Sequence, residues 1–164
     1  MSAHEHQSDE YDSQPLKQIS IERLSCLLRH WGWADEAKSR FERELASFPD
    51  EHARTAADSG NHALGAYYHW CAMLCAIGDA AVGHSLLHHA PLDMIHEDLE
   101  ATLPWLRVCR KRLVDVPVSP EPYPRIADLL RDSGTLTRLR RIHRAFGEAF
   151  RNEQVSRELD ALDH

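Results

Sequence analysis

Between residues 20 and 31 the apolar positions Ile21, Leu24, Leu28 and Trp31 fall at steps of three and four, which places them on one face of a helix. After Gly32 the same spacing returns in Ala37, Phe41, Leu45 and Phe48. The pattern predicts a helix from residue 15 or 20 to 30, a turn at Gly32, and a second helix over 34–48 that Pro49 stops. Glu36, Lys38, Arg40 and Glu42 lie on the polar side of that second helix, spaced for i,i+4 ion pairs. Asp50 then reads as the cap of a short helix over 51–57, closed by the run DSGN.

Residues 62–77 are apolar almost all round, the signature of a helix enclosed by others. Gly78 and Asp79 predict a tight turn into a second arm over 80–90, broken by Pro91. A further helix is expected from residue 92 or 94 to 112, bent near Pro104, with Ile95, Leu99, Leu103, Leu106 and Leu113 on its inner face. The run VDVPVSPEPYP, 114–124, has four prolines in eleven residues and predicts an extended connection, the best internal boundary. Beyond it, helices over 125–131 and 135–152 meet at a turn at Ser133 and Gly134, and residues 153–164 either extend the last helix or fray.

With only 7 glycines and no hairpin pattern, the fold class is all-α: an irregular helical bundle, or a short α-solenoid built from antiparallel helical hairpins. A chain of 164 residues fits one domain with one core. Residues 1–14 read as a disordered acidic tail and 15–164 as the helical domain. The tail has neither a basic nor an apolar region of a targeting signal, and the longest apolar run, 63–77, is shorter than the ~20 residues of a spanning helix. The expectation is a cytoplasmic protein with no membrane partner.

Aligning Gly32, Gly78 and Gly134 produces three helix-turn-helix units. Ile21, Leu24, Ser25 and Leu28 precede the first, Tyr67, Trp70, Cys71 and Leu74 the second, and Tyr123, Ile126, Ala127 and Leu130 the third. Ser25 would face Ala37, and Cys71 would face Gly83, at close helix crossings; Leu139 takes the small position in the third unit. This pattern resembles the tetratricopeptide repeat, although the turn glycines are 46 and 56 residues apart and tetratricopeptide units recur at about 34. The resemblance implies a concave face that binds a peptide or helix, at positions that include Arg29, Tyr68 and Ala72. Glu22 and Cys26 stand where the family's carboxylate clamp has Lys and Asn, so that activity is not implied.

Charge divides the chain. Residues 1–100 carry 17 acidic and 7 basic groups, net −10, and residues 101–164 carry 9 acidic and 12 basic groups, net +3. Such a split favours polar protein partners or antiparallel self-association, a homodimer, over nucleic acid. Arg107, Arg110 and Lys111 share one helix face, and Arg140 and Arg144 another; no aromatic platform accompanies them that would point to nucleic acid.

The 12 histidines raise a metal alternative, zinc or iron. With a turn at Gly78, His69 and His88 would lie level on adjacent arms, with His84 one turn from His88. No Glu-x-x-His or His-Glu-x-x-His motif supplies a carboxylate in register. The cysteines Cys26, Cys71, Cys75 and Cys109 never form CxxC and read as buried free thiols. No nucleophile elbow or phosphate-cradling loop is present in the sequence. The reading that follows is a non-enzymatic protein–protein interaction module, of the adaptor, secretion-chaperone or immunity and antitoxin kind, with no cofactor. A histidine-liganded metal protein is the alternative, and nucleic-acid binding through the basic C-terminal helices the third.

Overall fold

The computed structural model describes residues 19–48, 60–84, 86, 92–114 and 132–162, and these form an all-α helical bundle. Its helices are α1 (Ile21–Ala46), α2 (Gly60–Gly83), α3 (His96–Val114) and α4 (Ser133–Leu162), with a 3-10 turn (Leu92–Ile95) leading into α3.

Helix α1 begins at Ser20, whose hydroxyl accepts a hydrogen bond from the Arg23 N–H at 3.3 Å. It then runs straight through Gly32, so the expected turn there is absent. An interior glycine costs a helix only about 1 kcal/mol relative to alanine. Leu24 and Leu27 before it, and Ala34, Ala37 and Phe41 after it, are all buried, and together they outweigh that cost.

Helix α2 likewise passes through Gly78 without turning. Gly78 is buried because α3 lies on it: a Cβ there would stand 2.9 Å from Leu103 Cδ1 and 3.2 Å from Leu99 Cδ1. The glycine serves close approach between helices, not a change of chain direction. The hairpin units aligned on Gly32 and Gly78 therefore have no turns at those positions, and Cys71 and Gly83 lie on one helix instead of facing each other. Helix α4 begins at Ser133, two residues before the expected start, so the expected turn residues Ser133 and Gly134 belong to its first turn; Asp132 caps it, its Oδ1 accepting from the Thr135 N–H at 3.2 Å. It continues to Leu162, which settles the fate of residues 153–162 as helix. Pro104 sits inside α3. The expected elements at 51–57 and 125–131, and the connection at 115–124, lie outside the described residues.

Contacts along the helices fix their directions. Phe41 packs on Tyr67 and Trp70 (ring centroids 5.2 and 6.2 Å) while Arg23 meets His84, so α1 and α2 are antiparallel. Tyr68 meets Arg112 while Gly78 meets Leu99, so α3 reverses again. Ile19 meets Arg157, Trp31 meets Gly147 and Glu42 meets Arg140, so α4 runs antiparallel to α1. Trp70, Tyr67, Phe41, Phe146 and Phe150 fill the centre. Each aromatic pair among them contributes about 0.5–1.5 kcal/mol beyond the area it buries. No helix among the described residues is long and apolar enough to cross a membrane.

Candidate partner-binding surface

The residues expected to form a concave groove do not share one. Tyr68 and Ala72 are buried, because α2 is wrapped by α1 and α3 and has little outer face to offer. The Tyr68 hydroxyl accepts from Arg112 Nη1 at 3.4 Å, and burial pushes its pKa up despite that guanidinium. Arg29 is exposed on α1.

The basic residues of α3 and α4 have separate partners. Arg107 donates through Nε (3.0 Å) and Nη2 (2.6 Å) to Asp79 Oδ1, and Arg110 Nη1 reaches Oδ2 of the same carboxylate at 3.1 Å. Asp79, read from sequence as half of a turn, is thus the anchor of two α3 arginines on α2. Arg140 Nε donates to Glu42 Oε1 at 3.1 Å on α1. Arg138 and Arg141 both pair with Asp98 at the start of α3. Among the described residues Lys111 and Arg144 have no carboxylate partner, and both are exposed.

Helix α4 carries a second feature. Leu139, Ile142, Phe146 and Phe150 form its buried face. Val155 lies nine residues past Phe146, about two and a half turns at 3.6 residues per turn, and hence on the opposite side. Val155, Leu159 and Leu162 are 54, 58 and 81 % exposed. On the side that continues the buried face stand Glu153 and Arg157, paired at 2.6 Å, and Arg157 Nη2 also donates to the Ile19 carbonyl at 2.8 Å. The apolar and polar sides of α4 therefore exchange after Phe150. Arg144 and Arg151 lie on the same outward side as the apolar trio, and Arg151 sits over the Trp31 ring, 5.0 Å from its centroid.

One polar site was missed by the sequence reading. His143, only 5 % exposed in its side chain, lies on the buried face of α4, and its Nε2 is 3.0 Å from Asp35 Oδ1 on α1. Its ring stacks on Trp31 (5.4 Å) and meets the edge of Trp70 (6.0 Å), while the Trp31 Nε1–H donates to the His143 carbonyl at 3.0 Å. His143 Nδ1 and Trp70 Nε1 are buried without a hydrogen-bond partner among the described residues. Burial pushes the His143 pKa down, against the opposing pull of Asp35. The group braces α4 against α1 and α2.

Of the histidines expected to converge, His69 and His84 cannot share an ion. His69 and His84 sit on one straight stretch of chain, 15 residues or ~22 Å apart along the axis at 1.5 Å per residue. Ligand atoms about 2 Å from one ion cannot come from both. His84 Nδ1 instead lies 3.5 Å from Arg23 Nη1; His88 lies outside the described residues. Among the described residues no three His, Cys, Asp or Glu side chains gather to hold a metal. Cys71 and Cys75 are buried thiols: burial raises both, Cys75 to about 11, and Cys75 Sγ donates to Asp79 Oδ2 at 3.7 Å. Cys26, expected to be buried, is exposed. Compared with family models, with curated proteins and with solved structures, the chain matches none.

Proposed function

We propose that the chain is a non-enzymatic interaction module that binds another protein through the outward side of α4. One observation carries the reading: Arg144, exposed and without a carboxylate partner among the described residues, shares that side with three large exposed apolar residues, Val155, Leu159 and Leu162. A solvated helix face ordinarily carries charge and small polar groups, and contiguous exposed apolar side chains rimmed by charge mark binding surfaces. In the first half of α4, Arg138, Arg140 and Arg141 are paired with Asp98 and Glu42 of other helices, which leaves Arg144 as the cation there for an acidic partner.

The test is charge reversal at Arg140 and Arg144. Partner capture from the native cell, followed by identification of the captured protein, should be lost in Arg140→Glu/Arg144→Glu and kept in Arg29→Glu. Capture that is unchanged by the double reversal removes α4 from the interface.

A further inference from the structure

We propose that α4 is a releasable helix with His143 as its acid-sensitive catch: uptake of a proton at Nδ1 loosens α4 from α1 and α2 and uncovers the apolar faces between them. The device is independent of what the outward side of α4 binds.

The way the helices are held is the first ground. Among the described residues α2 packs closely along both α1 and α3, whereas α4 packs far less closely on α1 and barely on α3. An element with few close contacts opens at a lower free energy than the rest of the fold. Helix α4 is therefore the one set to leave first.

The chemistry of the catch is the second ground. The His143 side chain is 5 % exposed, and its Nε2 lies 3.0 Å from Asp35 Oδ1, so Nε2–H donates to the carboxylate and Nδ1 keeps a lone pair. Nδ1 is buried without a partner among the described residues, and so is Nε1–H of Trp70, whose ring meets that of His143 edge-on at 6.0 Å. A proton at Nδ1 adds a second donor without an acceptor to this seam, which the closed bundle resists. Trp31, stacked on His143, already holds the Arg151 guanidinium over its ring, and an imidazolium would be a second cation on one indole. Asp35 attracts the imidazolium, but its side chain is 49 % exposed and water weakens the pull.

The other charges around the ring do not reverse this. On α1 Lys38 opposes the proton, while Glu42, which favours it, is already paired with Lys38 and Arg140. Helix α2 has no Asp, Glu, Lys or Arg from Gly60 to Gly78, and on α3 Asp98 is engaged by Arg138 and Arg141. Once α4 is released, both ring nitrogens face water and the proton binds at its ordinary strength. Acid thus favours the released form.

Hydrogen exchange of the full chain, read by mass spectrometry and corrected for the intrinsic effect of pH, tests this. At pH 7 the amides of residues 136–151 should be less protected than those of residues 64–77. Lowering the pH to 5 should raise exchange in 136–151 several-fold, with a ceiling of about 25-fold set by the ordinary histidine pKa of 6.5. His143→Gln, which still offers Asp35 a donor but takes up no proton, should show no such rise. Asp35→Asn should move the rise toward the ceiling, because it removes the carboxylate that favours the proton in the closed form. Equal protection of the two segments at both pH values overturns the proposal, since α4 would then leave only when the whole bundle unfolds. So does the absence of a rise in the wild type, a rise that persists in His143→Gln, or one that fails to grow in Asp35→Asn.

Discussion

Gly147 lies flat against the indole of Trp31: a Cβ at Gly147 would stand 2.5 Å from Cζ2, 2.6 Å from Cε2 and 2.9 Å from Nε1. The ring cannot retreat easily, since its N–H donates to the His143 carbonyl, one face stacks on His143, and Arg151 sits over the ring. Gly147→Ala should therefore destabilise the fold by about 1–3 kcal/mol, the usual cost of forced overpacking, even though alanine is the better helix former. Urea unfolding should give a lower midpoint with an unchanged slope. A stabilised variant would mean that α4 does not approach Trp31 this closely.

Gly32 should behave in the opposite way. It lies inside α1 with open space around it. Gly32→Ala is expected to stabilise by about 0.5–1 kcal/mol through helix propensity alone. A clear loss of stability would restore the turn that the hydrophobic pattern suggests at this position and break α1 into two helices.

These two glycines explain why some of the fold was legible in the sequence and some was not. Apolar faces such as Leu24, Phe41, Leu99 and Leu106 could be read from spacing because helical periodicity is local. A glycine in such a pattern can mark a turn, a close approach or, like Gly32, neither, and only the surrounding helices decide. For Gly78 the neighbour is Leu103 and for Gly147 it is Trp31, each remote in sequence. His143 stands between Leu139 and Phe146 on an apolar face, which was visible, but Asp35 is 108 residues away, which was not. The outward trio on α4 is legible only if residues 153–162 extend the last helix, one of two outcomes the pattern allows; as one helix, Val155, Leu159 and Leu162 are out of phase with Phe146 and Phe150.

Thiol labelling offers a direct check of the packing. Cys26 is exposed, whereas Cys71, Cys75 and Cys109 are buried and burial raises Cys71 and Cys75. Since the thiolate is the reactive form, iodoacetamide at neutral pH should modify Cys26 alone in the native protein and all four cysteines in denaturant. Peptide mass spectrometry reads the sites. Rapid native modification of Cys71 or Cys109 would contradict the enclosure of α2 between α1 and α3.

The link between Asp79 and the arginines of α3 should matter little to stability. Arg107 and Arg110 are about half exposed, and ion pairs of this kind contribute roughly 0–1 kcal/mol. Asp79→Asn is expected to cost no more than about 1 kcal/mol, with the difference shrinking in high salt. A double-mutant cycle with Arg107→Gln measures the pair itself. A coupling of several kcal/mol would show that the carboxylate is far better shielded from water than its exposure implies.

His143 makes stability depend on pH. Burial holds its folded-state pKa below the ordinary 6.5, so the neutral imidazole is the form the fold selects. The unfolded chain then binds the proton more readily, and the linked contribution is present above about pH 6.5 and lost as pH falls through the folded-state value. Asp35, the nearest charge, opposes the shift, with Lys38 and Glu42 on the same helix acting in opposite senses, while α2 presents the uncharged Trp70 ring. Wild-type stability should accordingly fall between pH 7 and 5 by more than that of His143→Gln, which has no proton to take up. Asp35→Asn should lower the His143 pKa further, as read from its ring proton shift by NMR, because it removes the charge that favours imidazolium. A titration above 6.5 in the wild type would mean that the attraction to Asp35 outweighs burial, and acid would then strengthen the bond between α4 and α1.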